Sequence, residues 1–240
     1  MHMANRLLDR QASLLDCLSS AATILGGEAD APAGIDREVL RLQARFICNK
    51  RMEKIVTIFP RTLRILGARQ KSVLRDFVEA SRPTQRGSLA NAREFHEFLT
   101  TRWRSAAPEP AYLPDVAACE LAGAQARDVP EERTNDRASE SGTPQLRRRR
   151  SVVPLRCAYD VRGFFDAWPQ EVVPPKRDIS LVVSLPPGGR ELKLMEVTSP
   201  TVDALSLLAD WADPSVLDAF GERAGLLADL TAHGLVEERD

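Results

Sequence analysis

Apolar residues recur at helical spacing through the first half of the chain and change period in the second. Val39, Leu40, Leu42, Phe46, Ile47, Met52, Ile55, Val56 and Phe59 repeat every three or four positions behind Asp36, a residue able to cap a helix, until Pro60 interrupts. A further helical stretch runs from Arg61 to Leu66 and is stopped by Gly67. Lys71–Ala80 carries Val73, Leu74, Phe77 and Val78 on one face, and Asn91–Trp103 carries Phe95, Phe98 and Leu99. Proline-bearing stretches at Ser81–Pro83 and Ala107–Pro110 separate these helices. Asp115–Ala126, Ala-rich and introduced by Tyr112-Leu113-Pro114, closes the helical half. These stripes are expected to form a helical core.

Beyond Arg150 a short helical pattern, Tyr159–Trp168, gives way to β-branched residues. Ile179, Leu181, Val182 and Val183 lie in a run bounded by Pro186-Pro187-Gly188-Gly189, and Leu192 and Leu194 alternate with charged neighbours in Arg190–Val197. The pattern predicts a β-hairpin. Thr198-Ser199-Pro200 then caps a helix reaching Trp211, Asp213-Pro214 opens a short one, and Glu222–His233 forms a third, stopped by Gly234. Leu235-Val236-Glu237 can add a brief final strand. The expected fold is therefore α+β, an N-terminal helical bundle over residues 1–127 and a small winged-helix-like domain with a β-hairpin over 151–240. Between them Asp128–Arg150 has only Val129 and Leu146 as strongly apolar residues, which predicts a flexible linker or insertion.

Composition describes an ordinary globular chain of 240 residues, 43% hydrophobic and 28% charged. The run from Leu14 to Leu25 is broken by Asp16, Ser19, Ser20 and Thr23, so neither a signal peptide nor a membrane span is expected, which favours the cytoplasm. Cys17, Cys48, Cys119 and Cys157 form no C-x-x-C pair and are expected to be buried or idle thiols. His96 precedes Glu97, but His-Glu-Phe-Leu lacks the second histidine of a zinc helix, and His2 and His233 are terminal or at a helix end. Neither Gly26-Gly27 nor Gly188-Gly189 belongs to a phosphate-binding motif. No catalytic residue, metal ligand or cofactor is therefore assigned to this chain, and binding or scaffolding is the expected role.

Charge changes that picture. The 33 Lys and Arg nearly cancel the 34 Asp and Glu, yet residues 41–75 hold ten basic side chains and one acidic, whereas 190–240 hold four basic and eleven acidic. A helix in the acidic segment would bring carboxylates to DNA phosphates, which argues against nucleic acid as its partner. The basic segment fits a solvated face, docking to an acidic protein, or nucleic acid, although aromatic residues do not interleave with its charges. The Arg147–Arg150 run is expected to be a solvated part of the linker.

Phe46-x-x-Asn49-Lys50-Arg51, Phe59-Pro60-Arg61-Thr62-Leu63-Arg64-Ile65-Leu66-Gly67, Phe77, Arg82-Pro83, Phe95-x-x-Phe98-Leu99 and Tyr112-Leu113-Pro114-Asp115-Val116-Ala117-x-x-Glu120 together resemble the MbnC-like family of methanobactin biosynthesis proteins, a group that carries a DNA-binding-domain label. The resemblance covers most of residues 40–125 and continues more loosely through 151–240. It implies a non-catalytic subunit paired with an MbnB-like multinuclear iron oxidase. Iron is expected in that partner and no cofactor in this chain. The oxidase would convert cysteines of an MbnA-like precursor peptide to oxazolone–thioamide groups that bind copper. The small subunit would hold the leader of that peptide by strand addition. On this reading Ile179, Leu181 and Val183 lie beside the leader, Leu205 and Leu208 line its groove, and Arg61 and Arg64 face the oxidase. The simpler reading makes the five apolar residues core. The alternative function is a winged-helix transcriptional regulator. The long, basic-ended Asp128–Arg150 insertion departs from what the resemblance implies.

Overall fold

The computed structural model describes residues 12–14, 17, 18, 20, 34, 36–81, 87–129, 144–166, 173–186 and 188–239. Arg82-Pro83, most of the 128–150 segment and Trp168 lie outside them. The architecture is α+β and divides into two compact units, Met1–Ala106 and Ala107–Asp240.

In the first unit Asp36 caps α1 (Arg37–Ile58), its carboxylate accepting the Glu38 N–H at 2.8 Å. Phe59 ends α1, and Pro60 occupies the first turn of α2 (Pro60–Leu66), where its missing N–H costs nothing. Gly67 follows with φ +55°, a conformation that needs no Cβ. The chain then enters α3 (Gln70–Ala80) through one turn of 3-10 helix, and α4 (Ser88–Ser105) completes the unit.

Its centre is aromatic. Phe95 meets Phe59 and Phe77 edge-on at centroid distances of 5.3 and 5.1 Å, and Phe98 lies 5.4 Å from Phe77. Arg51 is buried beside this cluster with its guanidinium 4.4 Å from the centre of the Phe77 ring. It donates to Asn91 Oδ1 at 2.7 Å, Ser81 O at 2.9 Å and Glu94 Oε2 at 2.6 Å.

The apolar stripe of α1 is only partly core. Leu40, Ala44 and Ile55 are buried, but Val39, Leu42, Phe46, Ile47 and Val56 are 40–70% exposed. Apolar residues occur around more of the helix circumference than one packed face can cover, so their recurrence overstates the buried set.

The second unit starts ahead of the expected linker. Helix α5 (Leu113–Arg127), grouped with the N-terminal helices by the sequence reading, packs on a sheet in this unit. Strand β1 (Gln145–Arg148) lies within the segment read as a linker, which corrects that boundary. Strand β2 (Val152–Tyr159), the short helix α6 (Gly163–Asp166), β3 (Lys176–Ser184) and β4 (Lys193–Val197) follow. Tyr159, expected to start a helix, instead ends β2. Helix α7 (Ser199–Leu207), a 3-10 segment Pro214–Phe220, α8 (Arg223–Ala232) and β5 (Val236–Arg239) complete the chain. Thr198 and Asp213 cap the first two through bonds to Thr201 N and Ser215 N.

Strands β2, β3 and β4 form an antiparallel sheet with β3 in the middle, and β1 pairs antiparallel with β5 in a separate ribbon. The expected hairpin is present as β3 and β4. Both α5 and α7 contact β2 and β3. Alternation assigns the two faces. Val182 and Val152 enter a core with Leu205, Leu208, Leu217, Leu230 and Leu235, on the α7 side. Ile179, Leu181 and Val183 point the other way, as does Cys157, which is in register with Ile179 and meets Cys119 of α5.

Candidate peptide-docking edge

All five residues expected to meet a leader peptide are interior. Ile179, Leu181 and Val183 are at most 4% exposed, and Leu205 and Leu208 are fully buried. Two features prevent them from forming one binding groove. Strand β3 is flanked on both sides, so it has no open edge, and the two sets of side chains lie on opposite faces of the sheet.

The open edges belong to β2 and β4, and they differ. Pro154 in β2 has no N–H to offer, and the end of that strand is capped by α5: Asp115 Oδ2 accepts the Ala158 and Tyr159 N–H groups at 3.0 and 2.9 Å, beside a bulge between Cys157 and Tyr159. Burial pushes the Asp115 carboxyl upward, while these two N–H bonds oppose the shift. Among the described residues, no backbone hydrogen bond reaches the outer edge of β4. Its five residues, Lys193-Leu194-Met195-Glu196-Val197, contain no proline. Such an edge is a template for another strand.

A closed set of ion pairs fixes β4 to its neighbour. Asp160, just past β2, receives Arg162 and Arg177 at 2.7 Å each, and Glu196 receives the same two guanidinium groups at 2.9 Å. The Arg162 hydrogen bond, joined by that of Arg177, holds the Asp160 carboxyl well below the usual carboxylate range. Two cations and two anions compensate one another. This arrangement orders the strand end before any partner arrives.

On the α7 side, Met195 and Val197 pack against the core, whereas Leu194 and Glu196 are in register with Val183 and Leu181 on the α5 side. A strand added to β4 would therefore meet half-buried Met195 and Val197 on one face, and half-buried Leu194 beside the exposed, ion-paired Glu196 on the other. The sequence reading missed this assignment because β2 was not recognised. Val152-Val153-Pro154-Leu155-Arg156-Cys157-Ala158-Tyr159 has strand composition, and its proline is the signal of an edge.

The Arg147–Arg150 run is not a solvated tail. Arg147 is 5% exposed, bonds Glu237 on the opposite strand, and stacks with its guanidinium 4.4 Å from the Trp211 ring centre; Arg239 stacks on the same ring at 4.3 Å. In the first unit, α2 carries Arg61 half-buried and Arg64 exposed, and each is engaged by other groups. His96 is partly buried and burial lowers its pKa. Among the described residues no group of three or more His, Cys, Asp or Glu side chains is placed to hold a metal ion, and no helix is long and apolar enough to cross a membrane.

Residues 8–101 match the model of a protein family described as SCO6045-like, C-terminal domain. The match spans the helical unit and stops before the sheet. No curated protein matches the chain. The similarity is confined to residues of the first unit and bears on neither methanobactin chemistry nor DNA binding.

Proposed function

We propose that this chain is a non-catalytic partner subunit that presents a ribosomal precursor peptide to a separate modifying enzyme, holding the peptide by strand addition along β4. The observation that supports this reading is the outer edge of β4, which pairs with no described residue and is ordered by the Asp160–Arg162–Arg177–Glu196 ion pairs. Backbone pairing supplies affinity, and the alternate side chains of the added strand supply specificity. The resemblance to MbnC-like proteins supplies the finer form: the enzyme is an MbnB-like iron oxidase, and cysteines of the peptide become oxazolone–thioamide groups.

The decisive experiment uses the precursor peptide encoded nearest this chain's gene, with single backbone amides N-methylated in turn. Strand addition predicts that methylation at alternate positions of one leader segment weakens binding about tenfold or more, while intervening positions are tolerated, because successive N–H groups point to opposite sides of a strand. Uniform tolerance would overturn the strand model. Co-expression with the neighbouring oxidase and peptide mass measurement test the finer form. Tight duplex-DNA binding with a steep salt dependence would favour a transcriptional regulator instead.

A further inference from the structure

The first unit carries a second surface, built from α1 and α3. Cys48 and Met52 of α1 and Leu74 and Val78 of α3 line a groove of about 310 Å³, with Asn49 and Arg45 on one wall and Arg75 on the other. Burial raises the Cys48 thiol, so the floor stays uncharged.

The apolar surface continues past both ends of this groove. Leu42 lies seven residues before Asn49 and Val56 seven after it, which puts all three on one side of α1. Leu42 is 70% exposed and Val56 42%. From Leu42 to Val56 the rim extends about 21 Å, the length of a helix of roughly four turns.

Charge selects the occupant. Residues 41–75 hold ten basic side chains and a single acidic one, Glu53, which is already paired with Lys50 at 2.8 Å; Arg51 among them is buried against Glu94, and Arg45 and Arg75 are the two that line the groove. Arg75 shares its charge with Glu79 at 3.0 Å, and Asp76 is bound to Arg102. Arg45 has no ion-pair partner among the described residues. An apolar floor with Arg45 on one wall and the Arg75–Glu79 pair on the other matches a helix whose apolar face is bordered on the Arg45 side by carboxylates. It matches single-stranded nucleic acid poorly, because no aromatic ring lines the groove and the rim offers a single exposed one, Phe46, already faced by Lys50 at 5.8 Å, rather than a row on which successive bases could stack.

We propose that the groove between α1 and α3 docks an acidic amphipathic helix of a partner protein, with the helix laid along the Leu42–Val56 rim. This surface requires neither a precursor peptide nor an oxidase, so its failure leaves the β4 reading untouched, and the converse holds.

The test displays a library of 15-residue amphipathic peptides to the full chain, with Leu, Ile, Met or Phe along one face and Glu, Lys or Ser at the flanking positions. Glu-flanked peptides should be enriched. A fluorescent copy of the best one should lose at least tenfold in affinity on Arg45→Glu and on Leu42→Asp, in variants whose circular dichroism and melting are unchanged. Lys-flanked peptides should gain affinity for Arg45→Glu. Leu42 is exposed, and Met52→Asp serves as a deeper second variant where folding permits. No enrichment, enrichment of Lys-flanked sequences, or binding indifferent to Arg45→Glu and Leu42→Asp would overturn the proposal. Displacement of the peptide by a single-stranded oligonucleotide at equal concentration would overturn it too and assign the surface to nucleic acid.

Discussion

Arg147 and Glu237 stand directly opposite each other in the β1–β5 ribbon, ninety positions apart in the chain, with Arg147 Nε donating to Glu237 Oε1 at 2.6 Å. Arg147 is almost fully buried and Glu237 about one-fifth exposed. The pair joins a segment that composition marks as a linker to the C-terminal strand.

Breaking one side of such a pair leaves an uncompensated charge in a low-dielectric site. Glu237→Ala should therefore lower unfolding stability by about 2–4 kcal/mol, somewhat moderated by the residual exposure of the carboxylate. Replacing both residues together with Met and Leu should recover most of that loss. Urea denaturation of the two variants checks the ordering; a single variant as stable as the double would contradict it.

Arg51 serves four acceptors on three residues at once and covers the Phe77 ring, and its guanidinium geometry is needed for all of them. Lysine offers no planar fork, so Arg51→Lys should cost about 1–3 kcal/mol despite keeping the charge. Its effect should appear in the melting of the helical unit. Peptide binding along β4 should be unchanged.

The acid limb of stability should report Asp160. Its carboxyl titrates below the ordinary range because Arg162 and Arg177 bind the anion. A depressed folded-state pKa contributes stability that is fully present above the unfolded value, about 4, and is lost as pH falls below it. Asp115 acts oppositely, since its raised pKa favours folding more when it is protonated. In Asp160→Asn the loss of stability below about pH 4 should be shallower than in the parent chain. Melting curves across that range, at constant ionic strength, make the comparison.

The four thiols should separate by accessibility. Cys119 and Cys157 are 1% and 4% exposed, and the thiol of Cys119 is pushed upward by its hydrogen bond with Cys157 and by burial. Cys17 and Cys48 are only partly buried. Iodoacetate applied to the native chain should label Cys17 and Cys48 at least tenfold faster than the inner pair, because the reagent must reach the sulfur. Denaturant should abolish the difference, as read by mass spectrometry of tryptic peptides.

Substitution of Leu181, which is fully buried on the central strand, should act on folding. Leu181→Asp should unfold the second unit, with a cost exceeding about 4 kcal/mol for an unpaired buried carboxylate. Loss of peptide binding with intact folding would instead return Leu181 to the docking surface.

The sequence by itself determined the local elements. Asp36, Pro60, Gly67, Thr198, Asp213 and Gly234 set helix boundaries through capping, a missing N–H or a left-handed turn, and those effects depend on a few adjacent residues. The β3–β4 hairpin was legible for the same reason, from β-branched residues on either side of a turn. Tertiary structure decided which apolar residues are buried, which strand is central and which charges are compensated. Leu42 and Leu40 have identical side chains two positions apart, yet one is 70% exposed and the other 1%. The difference is set by the side of α1 that faces the aromatic core. Likewise β1 becomes a strand because β5 returns from the far end of the chain to pair with it and Ala212 bridges Leu146 on its other side, and β3 loses its second open edge because β2 occupies it. Periodicity records local geometry, whereas burial and strand order depend on contacts between residues far apart in the chain.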